Sequence, residues 1–428
     1  MNIIIKDVSI VTMNENDDII KNGYIVINRE KIKEVGYGEY NGDCKDYKII
    51  DGKNSCVMPG LVNCHTHAAM TLLRGYGEGL PLMKWLNEKI WPMEAKFREE
   101  HISVGTKLAI IEMIRTGTTT FNDMYFFQKE VLEVAQEFNI RAVLGTPIIG
   151  DAWKEQLKSA VKLNDFVKEY SKNEDMIKTM IAPHAPYTLS KEALIRVAET
   201  AKQQYIGVHI HISETQDEVD IIKSKYDLTP TEFLLSTGIL DNKVIGAHCV
   251  HMTDNDIKIL RDKKVSVAYN PQSNMKLASG VARIAEMLDN GVNVCLGTDG
   301  TSSNNNLNMF EEMETGALLQ KLWYKDTTKL NGSDMLNIGT VNGAKALGFE
   351  KLGRIEEGYK ADLVMLDMNR PNMIPRYDID SNIVFSASGN EVHTVIINGE
   401  IVLYNGEFLN IDEERILYES NKFCENLI

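Results

Sequence analysis

The sequence has few basic residues for its length, few cysteines and no long apolar run. Its 428 residues include 46 Lys and Arg against 61 Asp and Glu, which gives a net charge of −15 at pH 7. Nucleic acids and anionic membranes bind basic surfaces, so neither is expected as a partner. No run approaches the roughly 20 apolar residues that a membrane-spanning helix needs. The net charge does not identify a substrate, because the charge of a local site can differ from that of the whole protein.

The six cysteines are scattered and include no Cys-x-x-Cys pair. This spacing favours reduced thiols over a disulfide framework or a cysteine zinc cluster. The segment MNIIIKDVSIVTMNENDD alternates like a strand and then becomes acidic, without the apolar core and cleavage site of a signal peptide. We therefore expect a cytoplasmic protein, and the composition is compatible with a homo-oligomer.

Strand-like segments rich in Ile and Val occupy both ends of the chain. Residues 1–58 contain IIIKDVSIVTM, GYIVINREKIKEVG and YKIIDGKNSCVM, cut by Gly, Asn and Asp. Residues 351–428 contain KADLVMLDM and VHTVIINGEIVLYNGEF, followed by an acidic segment that reads as a terminal helix. These two pieces predict one small β-sandwich domain built from both termini.

Residues 59–350 alternate between short apolar runs and segments with apolar residues at helical spacing, such as KEALIRVAETAKQQ. The eight apolar runs are VMPGLVNCHTH, TTTFNDM, RAVLGTP, KTMIAPHAP, GVHIHISE, KVIGAHCV, VSVAYNP and VNVCLGTDG. Eight strands alternating with helices over roughly 290 residues predict an α/β fold of the (β/α)8, or TIM, barrel type. In that fold the carboxyl ends of the strands carry the chemistry.

Ionisable residues stand at these predicted strand ends: His65, His67, His184, His211, His248 and Asp299. Residues i and i+2 of a strand point to the same face, so His65 and His67 can bind one metal ion. Two unrelated histidines in a turn would have the same spacing, so the pair alone is a weak motif.

The motifs around these residues resemble those of the amidohydrolase superfamily. They occur in the same order as in that superfamily and extend over nearly the whole chain. They are MPGLVNCHTH, HISE, AHCV, GTDG and GRIEEGYKADLVMLD. The resemblance implies a metal-dependent hydrolase barrel that binds a metal through His65, His67, His211 and Asp299. Three imidazoles and one carboxylate suit zinc, with iron as the alternative.

The resemblance also assigns the chemistry. A metal-bound hydroxide would attack the substrate, with Asp299 accepting the proton of the water. Glu214 would be the general acid/base, and His248 would hydrogen-bond the hydroxide or the developing tetrahedral oxygen. Two-metal members carry a carboxylated lysine at the end of the fourth strand. Here APHAPYT offers His184 and no lysine, which predicts one divalent ion per subunit.

Two other residues compete for these roles. His209 shares a strand face with His211, but only His211 has Glu at position +3, so we expect His209 to be a core residue. Asp123 ends the second strand, where the resemblance assigns no metal ligand. We expect it to be a structural carboxylate.

The segments WPMEAKF and APHAPYT resemble the methylthioadenosine/S-adenosylhomocysteine deaminase group and its chlorohydrolase-like relatives. The resemblance implies that Glu94 holds the ribose hydroxyls, that His184 contacts a purine ring nitrogen, and that Ser303 touches the purine. A solvated helix glutamate is the alternative for Glu94. The implied reaction is hydrolytic deamination of 5′-methylthioadenosine, S-adenosylhomocysteine, 5′-deoxyadenosine or adenosine to the inosine analogue and ammonia.

One departure concerns the 5′ group. Members of the group that act on S-adenosylhomocysteine have an arginine in the loop after the third strand, whereas GTPIIGDAWKEQ has none. Arg141 lies at the start of that strand, and Lys154 lacks the bidentate fork of arginine. Small or apolar 5′ groups are therefore expected, with Met70, Met83 and Met93 as candidates to pack them.

Two other functions remain open from the sequence. The same machinery could act on another ring, as in guanine deaminase, cytosine deaminase or triazine chlorohydrolase. The chain could also be an inactive relative with a structural role, although its intact set of metal and acid/base residues weighs against that.

Overall fold

The computed structural model describes residues 2–16, 18–80, 82–170 and 175–427, and it begins with five strands. These strands are β1 (Asn2–Val11), β2 (Ile19–Asn28), β3 (Lys31–Tyr37), β4 (Lys48–Asp51) and β5 (Ser55–Pro59). Strands β1 to β3 pair antiparallel as a meander, while β4 and β5 both run parallel to β1.

Eight further strands form one parallel sheet, in chain order around the barrel. They are β6 (Leu61–Thr66), β7 (Thr118–Met124), β8 (Arg141–Ile148), β9 (Ile177–Pro183), β10 (Gly207–Ile212), β11 (Val244–His248), β12 (Ser266–Tyr269) and β13 (Asn293–Leu296). Almost every residue in them is buried, because parallel strands are covered on both faces. All eight coincide with the apolar runs of the sequence, so the predicted barrel is confirmed.

Four strands near the C-terminus complete the first sheet: β14 (Leu363–Asp367), β15 (Val392–Ile397), β16 (Glu400–Tyr404) and β17 (Glu407–Phe408). The two termini meet where β14 pairs antiparallel with β5. The resulting mixed sheet has its own apolar core, which includes Ile5, Ile25, Val57, Leu363 and Ile396. The predicted separate β-structure from both chain ends is therefore confirmed.

Helices connect the barrel strands and cover their outer faces. They are α1 (Leu82–Trp85), α2 (Trp91–Glu94), α3 (Glu99–Arg115), α4 (Gln128–Glu137), α5 (Trp153–Tyr170), α6 (Lys191–Gln204), α7 (Gln216–Tyr226), α8 (Pro230–Thr237), α9 (Asp254–Asp262), α10 (Pro271–Lys276), α11 (Ile284–Asp289), α12 (Met309–Tyr324), α13 (Gly332–Gly339), α14 (Val341–Leu347), α15 (Ile379–Phe385) and α16 (Glu413–Leu427). Single 3-10 or π turns occupy Ala68–Leu73, Leu86–Ile90, Gly150–Ala152, Pro186–Thr188, Ile239–Asp241 and Pro371–Met373. None of the helices in the described ranges is long and apolar enough to span a membrane.

The barrel closes where its first and last strands meet. The backbone N–H of Asp299 donates to the carbonyl of His65 at 2.9 Å. Just below, Asn63 and Thr298 exchange two hydrogen bonds, with Nδ2 donating to Oγ1 at 2.8 Å and the backbone N–H donating to Oδ1 at 3.1 Å. This seam places the end of β6 against the segment that follows β13.

A buried ion pair joins the other end of the barrel to the mixed sheet. The Arg141 guanidinium donates to both carboxylate oxygens of Asp362, at 2.6 and 2.9 Å, and both side chains are almost fully buried. It also donates to Asn398 Oδ1 at 2.8 Å. Arg141 therefore binds at the interface with the mixed sheet, at the start of β8 and far from the carboxyl ends of the barrel strands.

We expect Arg141→Met to lower the free energy of unfolding by about 3–5 kcal/mol, because it leaves the Asp362 carboxylate buried without its cation. Urea denaturation followed by circular dichroism measures the change. Arg196→Met is the matched control, since its pair with Glu199 is more than half exposed and such pairs contribute about 0–1 kcal/mol. Equal losses in the two variants would contradict the prediction.

Candidate metal and substrate site

His65 and His67 lie at the carboxyl end of β6 and present their Nε2 atoms to the barrel mouth. Each Nδ1 atom has a partner: that of His65 lies 2.9 Å from His209 Nε2, and that of His67 lies 2.6 Å from the Met124 carbonyl oxygen. Partners at Nδ1 orient the rings and leave Nε2 available, as is usual for metal-binding histidines. His65 Nε2 is buried and has no hydrogen-bond partner.

His211, near the end of β10, is oriented in the same way, with Nδ1 2.6 Å from the carbonyl oxygen of His184. His209 lies one layer deeper on the same strand face, between His65 and Asn122. It therefore supports His65 from below. The sequence favoured His211 as the ligand and predicted a core position for His209.

Asp299 follows β13 in the left-handed backbone conformation, with φ +63°. Its Oδ1 atom lies 3.4 Å from His65 Nε2 and 3.2 Å from His67 Nε2. Its Oδ2 atom accepts hydrogen bonds from the hydroxyls of Ser273 and Ser303, at 2.7 and 2.8 Å. The carboxylate is therefore held from behind while Oδ1 faces the histidines.

The donor atoms of these side chains fit one metal ion. Those of His65, His67 and His211 lie within 4.8 Å of one another, as do those of His65, His248 and Asp299. Burial lowers the pKa of His65 to about 4 and holds that of His211 well below its usual value, so both are neutral at pH 7. Burial also acts to lower the pKa of His67, but the neighbouring Asp299 outweighs it and raises that pKa to about 9, so a metal ion bound there would displace a proton. Neutral imidazoles with a carboxylate are the ligands that zinc or iron(II) takes. The unpartnered His65 Nε2 supports the same reading.

Glu214 and His248 stand beside this cluster. His248 ends β11, with its Nδ1 2.9 Å from Asn274 Oδ1 and its Nε2 3.8 Å from Glu214 Oε2. Burial raises the pKa of Glu214, although the neighbouring His248 lowers it. A carboxyl group shifted toward neutrality is suited to carry a proton in either direction.

A cavity opens from the cluster to the surface. His184, Glu214, Asp299 and Ser303 lie on its metal side, and Glu94 at the end of α2 lies in its wall. The Tyr125 hydroxyl donates to Glu94 Oε1 at 2.6 Å. Burial raises the pKa of Glu94, and Tyr125 counteracts that shift. Glu94 is thus a mostly buried cavity residue and not a solvated helix glutamate.

The rest of the cavity wall is apolar and aromatic. Its members come from the α1–α2 segment, from the ends of β7, β8 and β9, and from α10: Trp85, Leu86, Ile90, Trp91, Met124, Phe126, Pro147, Ile149, Tyr187 and Leu277. Met70 also lines it, whereas Met83 and Met93 do not, which corrects the expectation for those two. Met83 on α1 and Met93 on α2 pack against the hydrophobic core instead, and Met93 is buried in it.

Asp123, His101 and His393 have structural contacts. Asp123 accepts hydrogen bonds from Ala68 N–H and the Gln128 side-chain amide, both at 2.7 Å. His101 stacks on Phe97, and His393 lies 3.1 Å from the Ser55 hydroxyl. None of these residues lines the cavity.

Sequence reasoning missed four supporting residues: Tyr125, His209 as a partner of His65, Ser273 and Asn274. Tyr125 directly follows β7, and Ser273 and Asn274 follow β12 in the segment NPQSN. Their positions after barrel strands were the available signal. Hydroxyl and amide groups at such positions have too many ordinary roles for that signal to be specific.

The amidohydrolase family model matches residues 56–402, most of the chain. This chain belongs to the amidohydrolase family. The 5-methylthioadenosine/S-adenosylhomocysteine deaminase of Clostridium tetani is 58% identical over 428 residues, with 100% of this chain and 99% of that protein covered. The 5′-deoxyadenosine deaminase of Methanosarcina barkeri is 44% identical over 430 residues, with 100% and 98% covered.

Among solved structures, an adenosine deaminase from Xanthomonas campestris with bound zinc matches with a TM-score of 0.94. It is 33% identical, and the match covers 100% of this chain and 98% of that one. The family is metal-dependent, and the cluster of histidines with Asp299 at the barrel mouth agrees with that property.

We expect purified protein to hold about one divalent ion per chain, and His67→Ala to hold well under one, because it removes a ligand. Elemental analysis after growth in metal-replete medium measures both. His101→Ala is the control, since His101 lies on α3 away from the cavity and should leave the metal content unchanged. Two ions per chain in the wild type would contradict a single-metal site.

Proposed function

We propose that this protein is a metal-dependent deaminase that converts adenosine analogues to the corresponding inosine analogues and ammonia. The proposal rests on the residues that one cavity brings together. The cluster of potential metal ligands and Glu214 lie on one side of this cavity, and Glu94 lies in its wall. A purine nucleoside needs both: a hydrolytic centre at its base and a hydrogen-bond acceptor for its ribose hydroxyls. The names of the similar deaminases support the same substrate class.

The proposed metal ligands are His65, His67, His211 and Asp299, and zinc is the proposed ion. When bound, such an ion lowers the pKa of a water and so supplies a nucleophile at neutral pH. Asp299, whose carboxylate Ser273 and Ser303 hold in place, would accept the proton that the attacking water gives up. His248 hydrogen-bonds the attacking oxygen through Nε2.

Glu214 would deliver the proton that ring N1 requires as water adds at C6, and then assist the departure of ammonia. His184 would bind a purine ring nitrogen. Burial lowers the pKa of His184 to about 4, so the ring is neutral at pH 7 and carries the one N–H that a ring acceptor needs. Glu94, oriented by the Tyr125 hydroxyl, would accept hydrogen bonds from the ribose diol.

Reactions on other rings use similar machinery but do not need a ribose. In a nucleoside deaminase, a carboxylate that a tyrosine holds in an apolar wall can bind the ribose diol. A free-base deaminase has no ribose for such a carboxylate to bind. Glu94 therefore favours the nucleoside. We also propose a cytoplasmic location, since all six cysteines are free thiols.

Glu214→Gln should retain the metal yet lower kcat by about 10²-fold or more, because glutamine keeps the shape of the side chain but cannot exchange a proton. The loss of ultraviolet absorbance on converting adenosine to inosine measures the rate. Glu192→Gln, on the exposed start of α6, is the control. No absorbance change with any adenosine analogue would refute the proposed function, and a Glu214→Gln rate near wild type would refute the role of Glu214.

We further propose that small uncharged 5′ groups are preferred. With its base at the metal side and its diol at Glu94, a nucleoside would place its 5′ carbon against Trp91, Phe126, Pro147 and Ile149. The described residues that line the cavity include no Lys or Arg. Lys154 lies over the Trp153 ring, in a different groove between α5 and α6. A carboxylate on the 5′ group would therefore lose water without gaining a cation.

The expected kcat/KM is at least about tenfold higher for 5′-methylthioadenosine and 5′-deoxyadenosine than for S-adenosylhomocysteine. Ile149→Arg, which adds a cation to the apolar wall, should narrow that ratio by raising the value for S-adenosylhomocysteine. Ile149→Met, which introduces an unbranched but uncharged side chain, should leave this ratio of kcat/KM values unchanged. Faster turnover of S-adenosylhomocysteine by the wild type would rule out this preference.

A further inference from the structure

Two consecutive helices begin with the same arrangement, a threonine cap followed three residues later by glutamate. At the start of α8, Thr229 caps the helix and Glu232 accepts the N–H of Thr229 itself, at 2.9 Å. This is the ordinary reciprocal capping box. At the start of α7, Thr215 caps in the same way and accepts the N–H of Glu218.

The side chain of Glu218, however, reaches past its cap to the two preceding residues. Its Oε1 accepts the backbone N–H of Ser213 and its Oε2 accepts that of Glu214, each at 2.9 Å. Glu218 is 2% exposed. We propose that Glu218 is a positioning residue for the reaction: by binding these two consecutive N–H groups it fixes the turn that aims the Glu214 carboxyl at His248 and the metal ligands.

The turn needs such a clamp because its backbone is unfavourable. Ser213 has φ +50°, in the left-handed region that residues with a Cβ rarely adopt. Its carbonyl oxygen accepts the N–H groups of Val250 and His251, at 3.1 and 3.0 Å, which ties the turn to the segment after β11. Glu218 holds the opposite side. Glu214 and His248 therefore stand in one frame, with 3.8 Å between Oε2 and Nε2.

Burial makes Glu218 an expensive cap. Loss of solvent raises the pKa of Glu218 to about 8, and the two N–H groups only partly counteract that shift. Glu232 performs the ordinary capping role in α8 from a partly exposed position. Glu218 is thus a buried carboxyl beside the turn that carries Glu214. The cost of burying this carboxyl is the physical reason to assign Glu218 a role beyond starting a helix.

Glu218→Gln tests the inference, which rests on the proposed role of Glu214. Glutamine offers one acceptor oxygen, and its NH₂ group faces the other backbone N–H, so one bond is replaced by a repulsion. We expect kcat to fall at least about tenfold, because a small displacement of a proton-transfer group is costly, with KM and metal content near wild type. Glu232→Gln is the matched control and should change kcat by less than about twofold.

A double variant separates positioning from general damage. If Glu218 acts only through Glu214, Glu214→Gln/Glu218→Gln should be no slower than Glu214→Gln alone. A Glu218→Gln enzyme with wild-type kcat, a loss of metal, or an equal further slowing in the Glu214→Gln background would each overturn the inference. A Glu214→Gln enzyme at wild-type rate would instead refute the acid/base role of Glu214 itself.

Glu218→Asp keeps the test decisive if the glutamine variant does not fold. Aspartate retains both carboxyl oxygens but is one methylene shorter, so it cannot span both N–H groups. The same signature is expected, a lower kcat with unchanged KM and metal content. Wild-type kcat in Glu218→Asp would overturn the inference.

Discussion

The closure of the barrel between β6 and the segment after β13 is the constraint on which the site depends. One backbone hydrogen bond, from Asp299 N–H to the His65 carbonyl, brings together residues from opposite ends of the barrel sequence. It sets the carboxylate of Asp299 beside the Nε2 atoms of His65 and His67. Parallel strands alone would align the ends, but only closure makes the first and last strands neighbours. The metal cluster is therefore a property of the closed fold.

Around this seam, several side chains that we propose to react, or to bind the metal or substrate, are each held by a second side chain. His209 supports His65, Ser273 supports Asp299, Asn274 supports His248 and Tyr125 supports Glu94. Such partners are costly to bury unless they are hydrogen-bonded. Their contribution is orientation, since an unsupported histidine or carboxylate would sample several rotamers. The pairing explains how a cavity with mostly apolar walls keeps so many polar atoms in fixed directions.

How far the sequence predicts this arrangement follows from the range of each interaction. The barrel strands are local patterns, and the residues at their ends, such as His65, His211 and Asp299, carry enough chemistry to be predicted as site residues, which the structure brings close together. The supporting contacts join residues far apart in sequence, such as Tyr125 with Glu94 or Ser273 with Asp299, and no local pattern encodes them. Met83 and Met93 show the opposite failure: their sequence positions near the site suggested cavity contacts, but the helical packing turns them away.

The residues that we propose to carry out the reaction lie at strand ends, whereas those that we propose to select the substrate lie in connecting segments. Glu214, His248 and Asp299 are fixed by strands β10, β11 and β13, whose register the closed sheet leaves no freedom to change. Trp91 and Glu94 belong to the α1–α2 segment, and Ile149 follows β8, so the wall that we propose to contact the ribose can vary without disturbing the seam. A change of 5′ substituent therefore requires only a different side chain on that wall, whereas a change of reaction would require rebuilding the strand ends. In this chain the described cavity wall presents carbon surface and no Lys or Arg, and the proposed preference for small uncharged 5′ groups rests on that surface.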